Sequence, residues 1–125
     1  MNLVDSSGWL EYFTDGKNAR YFAPAIENTK KLMVSAINIY EIFNKILQIS
    51  EENTAIQAIA VMQQGRIIEV NANIAYTAAK LSLDLKLPMI NSIILATAKS
   101  NQAILWTQEA DFKDIEGVKY FERQI

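Results

Sequence analysis

Short strand-forming runs alternate with helix-period segments along this whole sequence, and that alternation restricts the fold more than any other feature. Leu3-Val4, Leu32-Met33-Val34, Arg66 to Val70, Ala103 to Trp106 and Gly117 to Phe121 read as strands. Segments with apolar residues three and four apart lie between them. Strands separated by helical crossovers pair in parallel, so the expected architecture is α/β, with a central parallel sheet and helices on both faces. Right-handed crossovers bring every strand's C-terminal end to one edge of that sheet. Ligands of open α/β sheets bind at that edge.

The first handover shows the pattern at its sharpest. Asp5 follows Leu3-Val4 directly, Ser6 or Ser7 can cap a helix, and Trp9, Leu10 and Phe13 then recur at helical spacing. Asp15-Gly16-Lys17-Asn18 is a turn. Ala19 to Asn28 suits a second helix, which Pro24 allows unkinked only if it starts at Ala23. Ser35 is a candidate cap for the clearest helix, Ile37 to Ile49, striped by Ile39, Ile42, Phe43, Ile46 and Ile49. Thr54 to Gln63 follows, closed by Gly65. Asn71 or Asn73 opens a helix to Leu85, with Ile74, Ala78, Leu81 and Leu85 as its stripe. Asn91 begins an almost wholly apolar helix, Ile93 to Lys99. Residues 1–125 are expected to form one domain, since the length suits a single core and no linker, repeat or low-complexity tract interrupts it.

Composition narrows the chemistry. The chain has no Cys and no His among its 125 residues. Disulfides, zinc-finger sites, Ser–His or Cys nucleophilic catalysis and His general acid–base chemistry are therefore excluded. A formal charge of −2 argues against a strongly basic nucleic-acid binder, not against an enzyme that reaches nucleic acid through a metal. No apolar run reaches membrane-spanning length and no signal-peptide pattern opens the chain, so no membrane partner and a cytoplasmic location are expected. Oxygen ligands converge on the ligand edge from four places: Asp5, Glu41, Asn91, and Glu109 with Asp111. Grouped carboxylates repel or take up protons unless a cation joins them. Oxygen donors without His or Cys select Mg²⁺ or Mn²⁺ over zinc. Against this stands the plainer reading that acids at helix starts complement the helix dipole.

The blocks MNLVDSSGWLEYF, SAINIYEIFNK, LPMINSIILATA and LWTQEADF resemble, in order and distance, the four motifs of PIN domains, particularly toxin ribonucleases of the VapC type. The resemblance spans essentially the full length. It implies a three-layer α/β/α fold and a Mg²⁺- or Mn²⁺-dependent endoribonuclease acting on RNA. Asp5 and Glu41 would be the first two metal-holding acids, Ser6 would support Asp5, and Thr107 would orient the last acidic pair, Glu109 and Asp111. A homodimer and a cognate antitoxin lying in the acidic groove are implied as well. Two positions depart from the family pattern. Glu109 stands where the family has Asp, which keeps the charge on a longer arm. Asn91 also stands where the family has Asp, which removes one charge and brings NH₂ donors where an acceptor is wanted. A naturally weak or inactive member, compensation by Glu109 and Asp111, and an inactivating substitution all remain open.

Other features have two readings each. Lys45 either pairs with Glu41 one turn away or guides phosphate. Lys17 and Arg20 either contact RNA or are solvated surface. Trp9, Phe13 and Trp106 read as core, Tyr12 and Phe22 as partly exposed, Glu11 and Asp84 as solvent-facing. A non-catalytic PIN-like module binding RNA or protein is the alternative that Asn91 motivates. A receiver-like signalling domain fits poorly, because Asp5 comes too early and no Lys ends a suitable strand.

Overall fold

The computed structural model describes residues 1–125. Five strands and six α-helices make up the chain, the helices falling in pairs between successive members of the first four strands. They are β1 (Asn2–Val4), α1 (Ser6–Phe13), α2 (Ala19–Glu27), β2 (Leu32–Ser35), α3 (Ala36–Ile49), α4 (Glu52–Met62), β3 (Arg66–Ile68), α5 (Ala72–Leu85), α6 (Met89–Ser100), β4 (Ile104–Thr107) and β5 (Val118–Tyr120). Two 3₁₀ turns, Thr29–Lys31 and Ala110–Phe112, complete the set. The strands form one sheet in the order β3-β2-β1-β4-β5, parallel throughout. β1 is central, and the order reverses between it and β4. The crevice beyond that reversal is where open sheets take ligands.

Neighbouring residues in the central strands serve opposite faces, as the pleat demands. Val4, Val34 and Trp106 join Trp9, Phe22, Ile42, Ile46 and Met62 on the α1–α4 side. Leu3, Met33 and Leu105 join Ile94, Leu95, Ala98 and Phe112 on the α6 side. Ile74 and Ala78 of α5 pack with Ala96 of α6 as a smaller third cluster. Strands of three or four residues hold through this two-sided burial, each enclosed aliphatic side chain contributing roughly 1.5–3 kcal/mol.

The structure corrects several expectations. Asp5 itself, rather than Ser6 or Ser7, caps α1 by accepting from the Gly8 N–H. α2 begins at Ala19, so Pro24 lies inside it and leaves the Arg20 carbonyl without its helical donor. α6 begins at Met89, which places Asn91 inside its first turn. Phe22 is fully buried, not partly exposed, because α1 approaches it so closely that a Cβ on Gly8 would stand 2.7 Å from its ring. Gly65 sits beyond the cap of α4, and its missing side chain makes room for Leu32. Ile49 and Leu85, at the ends of their helices, overrun the core and are exposed. Asp84 is exposed as expected. No single helix is long and apolar enough to cross a membrane.

Candidate active site

A cavity of about 550 Å³ opens beyond the C-terminal ends of β1 and β4. Asp5, Glu41, Asn91 and Glu109 all line it, brought together from the β1–α1 junction, α3, α6 and the segment after β4. The sequence distance between the first and last is bridged by the sheet: the Asp5 N–H donates to the Trp106 carbonyl at 3.1 Å, and the Thr107 hydroxyl donates to Asp5 Oδ2 at 2.8 Å. Asp111 lies outside this lining and reaches the site only through Asn91, whose Nδ2 donates to Asp111 Oδ2 at 3.2 Å.

Asp5 is the enclosed acid. It is 2% exposed and accepts from the Ser7 hydroxyl at 2.7 Å, from the Gly8 N–H at 3.2 Å and from Thr107. Burial is the largest influence on its carboxyl and pushes it up from 3.8 to about 6. The three donors oppose the rise, and the nearby Glu109 charge adds to it. No cationic side chain pairs with Asp5.

Glu41 is held differently. Its Oε1 accepts from the Ser6 hydroxyl at 2.6 Å, and that hydroxyl in turn accepts from Asn38 Nδ2 at 2.9 Å. Ser6 therefore supports Glu41 directly, whereas Ser7 and Thr107 support Asp5. Asn38 is fully buried, and its Oδ1 has no partner. Glu109 is the loosest of the three acids. Its backbone N–H donates to Thr107 Oγ1 at 2.9 Å, while its carboxylate pairs with Arg123.

Several contributors escaped the sequence reading. Asn38 precedes Glu41 by three residues and so shares its face of α3, a signal that was available. Gln108 lies between Thr107 and Glu109. It is buried, its Oε1 accepts from Asn18 Nδ2 at 3.0 Å, and its backbone N–H donates to the Ser7 hydroxyl oxygen at 3.2 Å. Glu11 is half-buried rather than solvent-facing: it lines the cavity and accepts from the Asn18 N–H at 2.8 Å. Arg123, beyond the last strand, carried no sequence signal. Lys45 lines the cavity without an ion pair to Glu41. Lys17 and Arg20 stand away from it, Lys17 donating to the Ile125 carbonyl and Arg20 to the Tyr21 hydroxyl.

The donor chemistry fits a hard divalent cation. The lining acids and amide offer only oxygen, and Asp5 is a buried carboxylate with no positive partner. Nevertheless, no three acids stand close enough to enclose an ion in this arrangement. Glu109 is turned to Arg123, and the fourth position is an amide.

Comparisons with known proteins agree with this geometry. Curated protein sequences give no significant match. Among solved structures, a toxin–antitoxin complex from Klebsiella pneumoniae is similar at 25% identity and TM-score 0.82, covering 98% of this chain and 99% of that one. FitAcB from Neisseria gonorrhoeae is similar at 18% identity and TM-score 0.77, covering 98% and 97%. VapC20 of Mycobacterium tuberculosis, described as a sarcin–ricin loop cleaving toxin, is similar at 16% identity and TM-score 0.75, covering 93% and 95%. The sequence model of the PIN domain matches residues 3–118. With that match, and with the acids of all four motif positions but one gathered at the reversal of a parallel sheet, the chain belongs to the PIN domain family.

Proposed function

We propose that this chain is a Mg²⁺- or Mn²⁺-dependent endoribonuclease, the toxin of a toxin–antitoxin pair, with its activity lowered by Asn91. One observation carries the reading: Asp5, Glu41 and Glu109, from three separate elements, line a single cavity at the switch point between β1 and β4. The Klebsiella pneumoniae neighbour, described as a toxin–antitoxin complex, supports an antitoxin partner for the acidic cavity. A second copy of the chain and a cytoplasmic location belong to the same proposal.

Asp5, Glu41 and Glu109 would hold the cation, with the Asn91 carbonyl oxygen as a neutral fourth donor and Asp111 behind it. A bound divalent ion polarises a phosphodiester and lowers the pKa of an attached water. The protein's own part is positioning. Ser7, Gly8 and Thr107 fix both oxygens of Asp5, so its remaining lone pairs face a set direction. Asn38 donates to Ser6, which leaves the single Ser6 hydroxyl hydrogen for Glu41. One Glu41 oxygen is thereby held, and the other is left for the site. Lys45, unpaired at the rim, is placed to attract an RNA phosphate.

The experiment is RNA cleavage with added Mg²⁺ or Mn²⁺ by this chain, by Asn91→Asp and by Asp5→Asn. Cleavage that rises in Asn91→Asp and vanishes in Asp5→Asn is expected. Inertness of the Asn91→Asp protein, with metal binding indifferent to Asp5, overturns the reading. The second reading is a non-catalytic PIN module that binds RNA or protein. It is favoured by the Asn91 amide and by the lack of a three-acid group. It requires RNA or peptide binding without divalent-ion uptake.

A further inference from the structure

The single ion pair in the molecule lies inside the candidate site. Arg123 pairs with Glu109, and both line the cavity. Arg123 is not there as a loose surface side chain, because the segment carrying it is anchored. The Phe121 N–H donates to the Thr107 carbonyl at 2.9 Å. The Phe121 ring stacks on Tyr21 at 5.3 Å and meets Phe22 edge-on at 5.3 Å. The Glu122 carbonyl accepts from the buried Asn18 side chain at 2.9 Å. The backbone is thus anchored up to the residue before Arg123, whose side chain is 58% exposed.

A guanidinium on Glu109 occupies the place where a divalent cation would need that carboxylate. The two cannot both have it at full strength, since each is held by the same negative charge. A displaced guanidinium remains tethered at the rim of the same cavity, with planar donors suited to a phosphate's oxygens. Lys45 lines the same cavity from α3, so a phosphodiester entering it would meet cations from two separate elements.

We propose that Arg123 is an internal counterion for Glu109 that a divalent cation displaces, and that the released guanidinium then binds the RNA phosphate backbone. The proposal rests on the metal-nuclease reading and adds a load-dependent exchange to it. Arg123 acts on the metal through Glu109, as a positioning residue. It acts on RNA directly.

The test compares this chain with Arg123→Gln and Glu109→Gln. Mn²⁺ uptake is read by calorimetry, and binding of a single-stranded RNA is read across a salt series with Ca²⁺ in place of Mn²⁺. Arg123→Gln is expected to bind Mn²⁺ about two- to fivefold tighter, the range for losing a competing, partly exposed ion pair. Its RNA affinity is expected to fall, with the slope of log affinity against log salt shallower by about 0.7. Arg123→Lys, which keeps a charge without the fork, is expected to restore the salt slope but not the full affinity. Unchanged Mn²⁺ affinity in Arg123→Gln, while Glu109→Gln weakens it, overturns the exchange and leaves the nuclease reading standing. An unchanged salt slope removes the phosphate contact. If none of the proteins, nor Asn91→Asp, takes up Mn²⁺, the nuclease reading falls and takes the exchange with it.

Discussion

Asp5 and Glu109 line the same cavity, yet they are built in opposite ways. Asp5 is sealed against the sheet by three donors and meets no positive charge. Glu109 extends from the segment after β4 and is held by an exposed arginine at a half-open rim, its own side chain 38% exposed. The enclosed acid gains direction but bears the cost of burial, and its carboxyl rises to about 6. The rim acid avoids that cost and gives up fixity. The pair shows how one site can combine a rigid donor with a replaceable one.

The largest effect expected from this contrast is a pH dependence carried by Asp5. A carboxyl raised from 3.8 to about 6 on folding binds its proton more tightly in the folded state. Stability from this group is therefore full below pH 3.8 and is lost progressively as pH rises toward and just past 6. A rise of about two units corresponds to about 3 kcal/mol. Denaturant unfolding of this chain and of Asp5→Asn from pH 4 to 7.5 should show the difference between them shift by up to that amount against the wild-type protein. A pH-independent difference would mean that Asp5 is not buried as an unpaired acid.

Next comes the polar chain behind Glu41. Ser6→Ala removes both the donor to Glu41 and the acceptor for the enclosed Asn38 amide. Leaving that amide unpaired should cost about 1–3 kcal/mol by urea unfolding. Ser6→Thr, which keeps the hydroxyl, should recover most of it.

Asn91→Asp follows. Without cation it sets a carboxylate against Asp111 in place of an amide donor, which should lower stability by roughly 0.5 kcal/mol at this exposed position. With Mn²⁺ the order should invert, since added ligand charge tightens a hard-cation site. Melting with and without Mn²⁺ checks both signs. The smallest effect belongs to the rim: Glu109→Gln should change stability by less than about 0.5 kcal/mol, because its ion pair is half in water. A larger loss would make Glu109 a structural acid and dissolve the contrast.

Much of this was legible in the sequence because it depends on periodicity. Alternating strand and helix patterns dictated a parallel sheet, and parallel pairing put Asp5, Glu41, Asn91 and Glu109 at one edge without knowledge of any contact. What stayed hidden depends on pairs far apart in the chain. Asn18 meets Gln108 across 90 positions, and Arg123 meets Glu109 only because the segment after β5 folds back over α2. Asp111 was misplaced for a local reason. The 3₁₀ turn Ala110–Phe112 buries Phe112, which directs Asp111 outward, where it is exposed.

The central place of β1 beside β4 has a consequence for synthesis. Asp5 leaves the ribosome 102 residues ahead of Thr107, the hydroxyl that holds its second oxygen. Until β4 emerges, β1 lacks a neighbour on one side and the crevice has only half its walls. A nascent chain therefore cannot close the cavity around Asp5, and the full lining assembles only once β4 and the residues after it have emerged.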